Sequence, residues 1–181
     1  MKKRAMLITV LSVAIFGSIC LVLFMLTDTN KGIKTEGIDL KYRIYTEDGW
    51  SEWYNNGEEA GYMTKSIKAI ETSVDSKKTG HILYNVYSQS EDFSSNDVYD
   101  GETAGDKKNS IYGIKFFLTD QLFDDYVIYY RTYNKKDGWL DWTSSYEISG
   151  DNEVDIEKIQ IKILKTGDKN PEPNENTSIG F

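Results

Sequence analysis

The pentapeptide Gly49-Trp50-Ser51-Glu52-Trp53 returns eighty-nine residues later as Gly138-Trp139-Leu140-Asp141-Trp142, and all four tryptophans of the chain fall within these two segments. Each follows a tyrosine-rich stretch, Tyr42-Arg43-Ile44-Tyr45 and Tyr130-Arg131-Thr132-Tyr133, and an Asp-Gly pair. A copy without tryptophan lies between them: Tyr84-Asn85-Val86-Tyr87, then Gly101-Glu102-Thr103-Ala104-Gly105, then Ser110-Ile111-Tyr112-Gly113-Ile114. These match Gly57-Glu58-Glu59-Ala60-Gly61 and Ser66-Ile67-Lys68-Ala69-Ile70 of the first copy. Equivalent positions stand forty-two to forty-six residues apart, from Tyr42 to Tyr84 and from Tyr84 to Tyr130. Three degenerate copies of one unit are therefore expected, at about 38–79, 80–123 and 124–165. A unit so short cannot bury its own apolar face, so the copies must pack against one another.

Within each copy the first segment alternates with period two: Leu40, Tyr42, Ile44; Ile82, Tyr84, Val86; Ile128, Tyr130, Thr132. That is the pattern of a half-buried strand. The other face carries Lys41, Arg43, Tyr45; Leu83, Asn85, Tyr87; and Tyr129, Arg131, Tyr133. Asp48-Gly49 and Asp137-Gly138 supply the left-handed backbone of a tight turn into a short tryptophan-bearing strand. The last segment keeps isoleucines three apart, Ile67/Ile70, Ile111/Ile114 and Ile156/Ile159. Residues three apart on a regular strand face opposite ways, so a bulge between them is expected to return both to the core. The fold class is all-β, with three repeats forming a pseudo-threefold β-prism-like domain; a β-trefoil is the alternative.

Ala5 to Leu26 is an uncharged run long enough, at about 1.5 Å per helical residue, to cross the roughly 30 Å hydrocarbon core. With Lys2, Lys3 and Arg4 before it, residues 1–27 read as a signal anchor and transmembrane helix with the repeats outside the cell. Secretion after signal cleavage is the alternative, although no Ala-x-Ala-like site ends the run. Residues 28–37 read as a juxtamembrane linker, and 166–181, with Pro171 and Pro173 among polar residues, as a disordered tail. The net charge is −8, and Lys2, Lys3, Arg4 and Asp28 give residues 1–30 a charge of +2, which leaves −10 for the remainder. Such acidity disfavours nucleic acid. Cys20 is the only cysteine and His81 the only histidine, so no disulfide, metal centre or cofactor is expected. His81 reads as a solvated residue at a strand start.

The tryptophan pairs have two readings. On a straight strand the Trp-x-x-Trp spacing sends the rings to opposite faces, one inside and one outside, and packing within or between repeats accounts for both. The functional reading sets the outer ring beside Tyr45 or Tyr133 as a platform for a sugar or an aromatic partner, with Trp50, Trp53, Trp139 and Trp142 as the candidate binding residues. Phe93 and Tyr99 are the bulky substitutes in the middle copy, where Glu91 to Asp97 replaces the pair. Carboxylate pairs such as Glu58/Glu59 or Asp151/Glu153 fall in turns where solubility explains them, and an enzyme is not expected.

Taken together, Tyr-Arg-x-Tyr, an Asp-Gly turn, Gly-Trp-x-x-Trp, a glycine-containing segment and an Ile-rich strand resemble the clostridial hydrophobic-W repeat (ChW) family, over Ile38 to Lys165. Asn56-Gly57-Glu58-Glu59-Ala60-Gly61 and Asp100-Gly101-Glu102-Thr103-Ala104-Gly105 carry the family's glycine segment; the third copy shows Ser149-Gly150. The resemblance implies a surface protein of a Gram-positive bacterium that binds macromolecules without catalysis. The expected partners are an extracellular glycan, a cell-wall polymer or a surface protein, together with the membrane through the N-terminal helix. A structural or accessory domain in a membrane-associated complex is the alternative function.

Overall fold

A computed structural model describes residues 32–88, 97–151 and 153–173. The apolar run Ala5 to Leu26, Phe93 with most of its segment, and the end of the tail lie outside the described residues. Among those described, no helix is long and apolar enough to cross a membrane.

The domain is all-β, built on three antiparallel sheets, each centred on a long two-stranded pair. These pairs are β1 (Ile38–Thr46) with β5 (Ala69–Ser76), β6 (Ile82–Ser88) with β9 (Ile111–Leu118), and β10 (Tyr126–Asn134) with β14 (Lys158–Lys165). The alternation read from the sequence holds. Leu40, Tyr42, Ile44, Ile82, Tyr84, Ile128 and Tyr130 are fully buried, with Val86 and Thr132 nearly so. Short strands flank the pairs. On β1 lie β2 (Gly49–Trp50) and β3 (Tyr54–Asn55); on β6 lies β7 (Val98–Tyr99); on β10 lie β11 (Gly138–Trp139) and β12 (Thr143–Ser144).

A last short strand in each copy leaves its own sheet for a neighbour's. β4 (Glu59–Gly61) pairs with β14 of the third copy, β8 (Thr103–Ala104) with β5 of the first, and β13 (Ser149–Gly150) with β9 of the second. The small residues of these strands, Ala60, Ala104 and Ser149, stand opposite Ile159, Ile70 and Ile114, the second isoleucine of each pair. The exchange runs in one direction and closes on itself.

The first isoleucine of each pair is held differently. Ile67 N–H donates to the Ile156 carbonyl at 2.8 Å, Ile156 N–H to Ile111 at 2.9 Å, and Ile111 N–H to Ile67 at 2.9 Å. Three backbone hydrogen bonds thus form a ring joining the copies, with all six isoleucines buried. The bulge expected from the spacing is explicit in the second copy, where Tyr87 faces Gly113 and Ser88 faces Ile111, so Tyr112 is the extra residue. In the outer copies Ile67 and Ile156 precede the strand. There Lys68 and Glu157 donate to the carbonyls of Tyr45 and Tyr133, whose register partners are already Ala69 and Lys158.

Buried phenols fasten the exchanged strands. Tyr42, Tyr84 and Tyr130 donate to the carbonyls of Glu58, Glu102 and Glu147, and Tyr42 and Tyr84 also accept from Ile161 and Thr72 N–H of the neighbouring sheet, each at 3.2 Å. Burial pushes the Tyr84 and Tyr130 hydroxyls up to about 12 and Tyr42 further still. A phenol is ionised more readily in the unfolded chain, near its usual pKa of about 10. These groups therefore contribute their full stability below pH 10 and lose it as pH rises through 12. Tyr84→Phe is expected to cost roughly 1–3 kcal/mol, because it orphans the buried Thr72 N–H and removes the bond to the part-buried Glu102 carbonyl. Urea denaturation measured at pH 8 and pH 11 checks both statements: the wild type should lose stability between the two, and Tyr84→Phe should lose less.

Three features differ from what the sequence alone suggests. A six-residue helix, α1 (Asp120–Asp125), follows β9 and buries Leu122, so the boundary set at 123/124 falls inside an element. The start of the tail is tied down, with Thr166 N–H on the Asp125 carbonyl (2.9 Å) and Tyr129 hydroxyl on Asn170 Oδ1 (2.6 Å). The 32–37 segment is also attached, through Ile33 N–H to the Asn56 carbonyl (2.5 Å) and Thr35 Oγ1 to the Ile163 carbonyl (2.6 Å).

Candidate functional site

The tryptophan pairs do not divide between inside and outside. In the first copy Trp50 stands opposite Tyr45 and Tyr54 opposite Tyr42. The tryptophan side advances four residues while β1 advances three. The extra residue resets the alternation, so Trp53 returns to the outer face already occupied by Trp50 and Tyr45. The third copy repeats this, with Trp139 opposite Tyr133 and Thr143 opposite Tyr130. The expectation of one buried ring per pair is thereby corrected: no tryptophan belongs to the core.

What fills the gap between the rings is an arginine. Arg43 Cζ lies 4.5 Å from the Trp50 ring centre and 4.7 Å from that of Trp53; Arg131 Cζ lies 4.6 Å from Trp139 and 4.5 Å from Trp142. Planar guanidinium and indole faces stack well, and the cation is drawn to the ring quadrupole. Tyr45 meets Trp50 edge-on at 5.4 Å, and Tyr133 meets Trp139 at 5.7 Å. All six residues picked from the sequence are therefore brought into two ladders on the outer faces of two sheets: Tyr45, Trp50, Arg43, Trp53, and Tyr133, Trp139, Arg131, Trp142. The arginines went unselected in the sequence. Their signal was present, since Arg occupies the second position of Tyr-x-x-Tyr only in the copies that have tryptophans; the middle copy has Asn85.

The surroundings of the two ladders differ. Arg43 is paired with Glu71, Nη2 at 2.7 Å and Nε at 3.1 Å from Oε2. At the same register position Arg131 Nε donates to Gln160 Oε1 at 2.8 Å. Burial pulls the Arg131 guanidinium below its usual range. Lys162 Nζ lies 4.3 Å from the Trp142 ring centre, and burial followed by the charge of Arg131 lowers its ammonium pKa. In the first copy the corresponding place beside Trp53 is an open groove of about 520 Å³ lined by Lys41, Trp53, Asn55 and Ser73.

The middle copy carries tyrosines on this face instead. Tyr87 and Tyr112 lie 6.2 Å apart, and Gly113 leaves room for the Tyr87 ring, which would meet an added Cβ at 2.9 Å. Tyr99 does not serve as a core substitute: it is exposed and touches His81 edge-on at 5.3 Å. His81 is itself exposed, with Nδ1 3.0 Å from Asp100 Oδ1. Of the candidate acid pairs, Glu58 Oε2 accepts the Asn55 N–H at 2.7 Å and Asp151 is paired with Lys136 at 3.1 Å. No group of three or more His, Cys, Asp or Glu is arranged to hold a metal among the described residues.

Comparison with family models, curated proteins and solved structures finds no match. The likeness between the copies continues into the turn before each exchanged strand. Tyr146-Glu147-Ile148 precedes Ser149-Gly150 just as Gly57-Glu58-Glu59 precedes Ala60-Gly61. Glu58, Glu102 and Glu147 N–H each donate to the carbonyl three residues back, and Tyr146 takes a φ of 74° where Gly57 and Gly101 have 81° and 87°.

Proposed function

We propose that the chain is a membrane-anchored, extracellular, non-catalytic binding module. In this reading it is a ChW-like protein whose three copies form the walls of a pseudo-threefold β-prism, and it recognises a glycan or cell-wall polymer through its aromatic ladders. The observation that carries the reading is the position of the tryptophans. A large aromatic stabilises a domain most when buried in its core, yet Trp53 is 38% exposed and the other three are only half-buried. A row of indoles stiffened by arginine, facing out from a rigid sheet, presents apolar ring faces at little conformational cost on binding. The cyclic strand exchange and the isoleucine ring support the prism reading, and the uncharged run after Lys2, Lys3 and Arg4 supports the anchor.

The test uses the full-length chain in detergent, with Trp53→Ala and Trp142→Ala combined in one variant. Pull-down by Gram-positive cell-wall material should be lost. Stability should fall by only about 0.5–2 kcal/mol for each cation–π contact removed. A double variant that still binds the wall would rule out the aromatic faces as its binding surface.

A further inference from the structure

The two ladders share one design and end differently. The register equates Ser73 with Lys162, since Ser73 stands opposite Lys41 and Lys162 opposite Tyr129, two residues before Arg43 and Arg131 respectively. In the third copy Lys162 Nζ and Arg131 Cζ both lie within 4.5 Å of the Trp142 ring centre. Trp142 thus carries two cationic side chains against its ring, where Trp53 carries Arg43 alone among the described residues. The lysine is held there: its Cε would lie 3.3 Å from a Cβ added at Gly57. The next position along the strand, Tyr129, is engaged by Asn170.

In the first copy nothing equivalent covers Trp53 among the described residues. Arg43 Cζ lies 4.7 Å from the ring centre, and the ring also borders the groove lined by Lys41, Asn55 and Ser73. The upper end of this ladder is capped, with Lys107 Nζ 5.0 Å from Trp50 and 5.7 Å from Tyr45. Among the described residues, only the Trp53 end of this ladder borders an open groove.

We propose that the first copy alone binds ligand, that the groove beside Trp53 takes a neutral pyranose ring of a glycan, and that Lys162 closes the corresponding place in the third copy. This rests on the binding reading above. One indole face bordered by an amide, a hydroxyl and an ammonium matches a sugar, whose C–H face stacks while its hydroxyls hydrogen-bond at the rim. Charge does not favour an ion at this end: Arg43 is neutralised by Glu71, and Lys41 lies 3.6 Å from Asp39. A protein partner would bury about 800 Å² per side around apolar anchors, whereas this groove presents a single indole.

The experiment uses the full-length chain in detergent with two neutral β-1,4-linked probes, cellotetraose and chitotetraose, which present flat C–H faces. Indole N–H nuclear magnetic resonance signals identify the ring that responds, and calorimetry gives the number of sites. At least one probe should bind the wild type at one site and shift Trp53. Trp53→Ala and Ser73→Lys should each weaken binding about tenfold or more, and Trp142→Ala should weaken it far less than either. Lys162→Ser should raise the number of sites from one to two. Two sites in the wild type, equal losses from Trp53→Ala and Trp142→Ala, or no second site in Lys162→Ser would overturn the assignment. If neither probe binds while cell-wall material is still captured through the ladders, the ligand class is wrong and the binding function stands. If wall capture is also absent, the binding reading fails with it.

Discussion

Gly105→Ala is expected to lower the melting temperature of the domain far more than Gly101→Ala, four residues earlier in the same exchanged segment. Both glycines have positive φ, 101° and 87°. A Cβ at Gly105 would meet the Lys68 carbonyl oxygen at 2.4 Å, whereas one at Gly101 meets nothing within 4 Å. The Gly101 substitution therefore costs backbone strain alone, on the order of 1–2 kcal/mol. The Gly105 substitution adds overpacking against backbone that cannot swing aside, for a total of roughly 3 kcal/mol or more. Against a typical stability of about 5–15 kcal/mol that is a large fraction. Gly61 and Gly150 occupy the same place, with a Cβ 2.2 Å from the Glu157 carbonyl oxygen and 2.1 Å from that of Tyr112, so their alanine variants should behave alike. Thermal denaturation of the four variants checks this; a Gly105→Ala variant as stable as Gly101→Ala would show that the exchanged strand is not clamped at this point.

Ile70→Ala, Ile114→Ala and Ile159→Ala are each expected to cost about 2–5 kcal/mol, as large-to-small changes at fully buried positions. Each isoleucine lies where one copy's exchanged strand crosses another copy's sheet, so its loss opens a cavity between copies. The resulting loss should not be confined to the copy that carries the substitution. All three variants should unfold in one transition that lowers the midpoint without splitting, measured by circular dichroism and tryptophan fluorescence together. A fluorescence transition from the outer copies that separates from the backbone signal would show that the copies unfold independently.

The long strands were legible because their inner faces alternate cleanly, from Leu40 to Ile44 and from Ile128 to Thr132, and solvent lies on the other side. The paired isoleucines were legible as an anomaly of period, and the bulge they implied is explicit in the second copy. The tryptophan geometry was not, because Trp-x-x-Trp gives the right answer only once the extra residue between β2 and β3 is known, and that residue leaves no mark on composition. Glu147 was hidden for a related reason. Tyr146 sits where the other copies use glycine, so the turn lost its sequence signature while its hydrogen bonds persisted. The exchange of β4, β8 and β13 between sheets was beyond reach. Nothing in Ala60, Ala104 or Ser149 states which copy's isoleucine it will face.

That exchange has a consequence for assembly. Each copy supplies one short strand outward and lacks one of its own, and so resembles the protomer of a ring with a head-to-tail interface. A polypeptide containing only the first copy would present an unpaired β5 edge together with an unplaced β4, and it could satisfy both by joining two others of its kind. Closed trimers are the product that this geometry favours, since three such steps return to the starting strand. In the full chain the same circle is completed intramolecularly, so its integrity does not depend on protein concentration. Linking the copies in one polypeptide also allows them to diverge, which a homotrimer cannot do: one ladder can keep an open tryptophan, another can cover it with a lysine, and a third can dispense with tryptophan altogether.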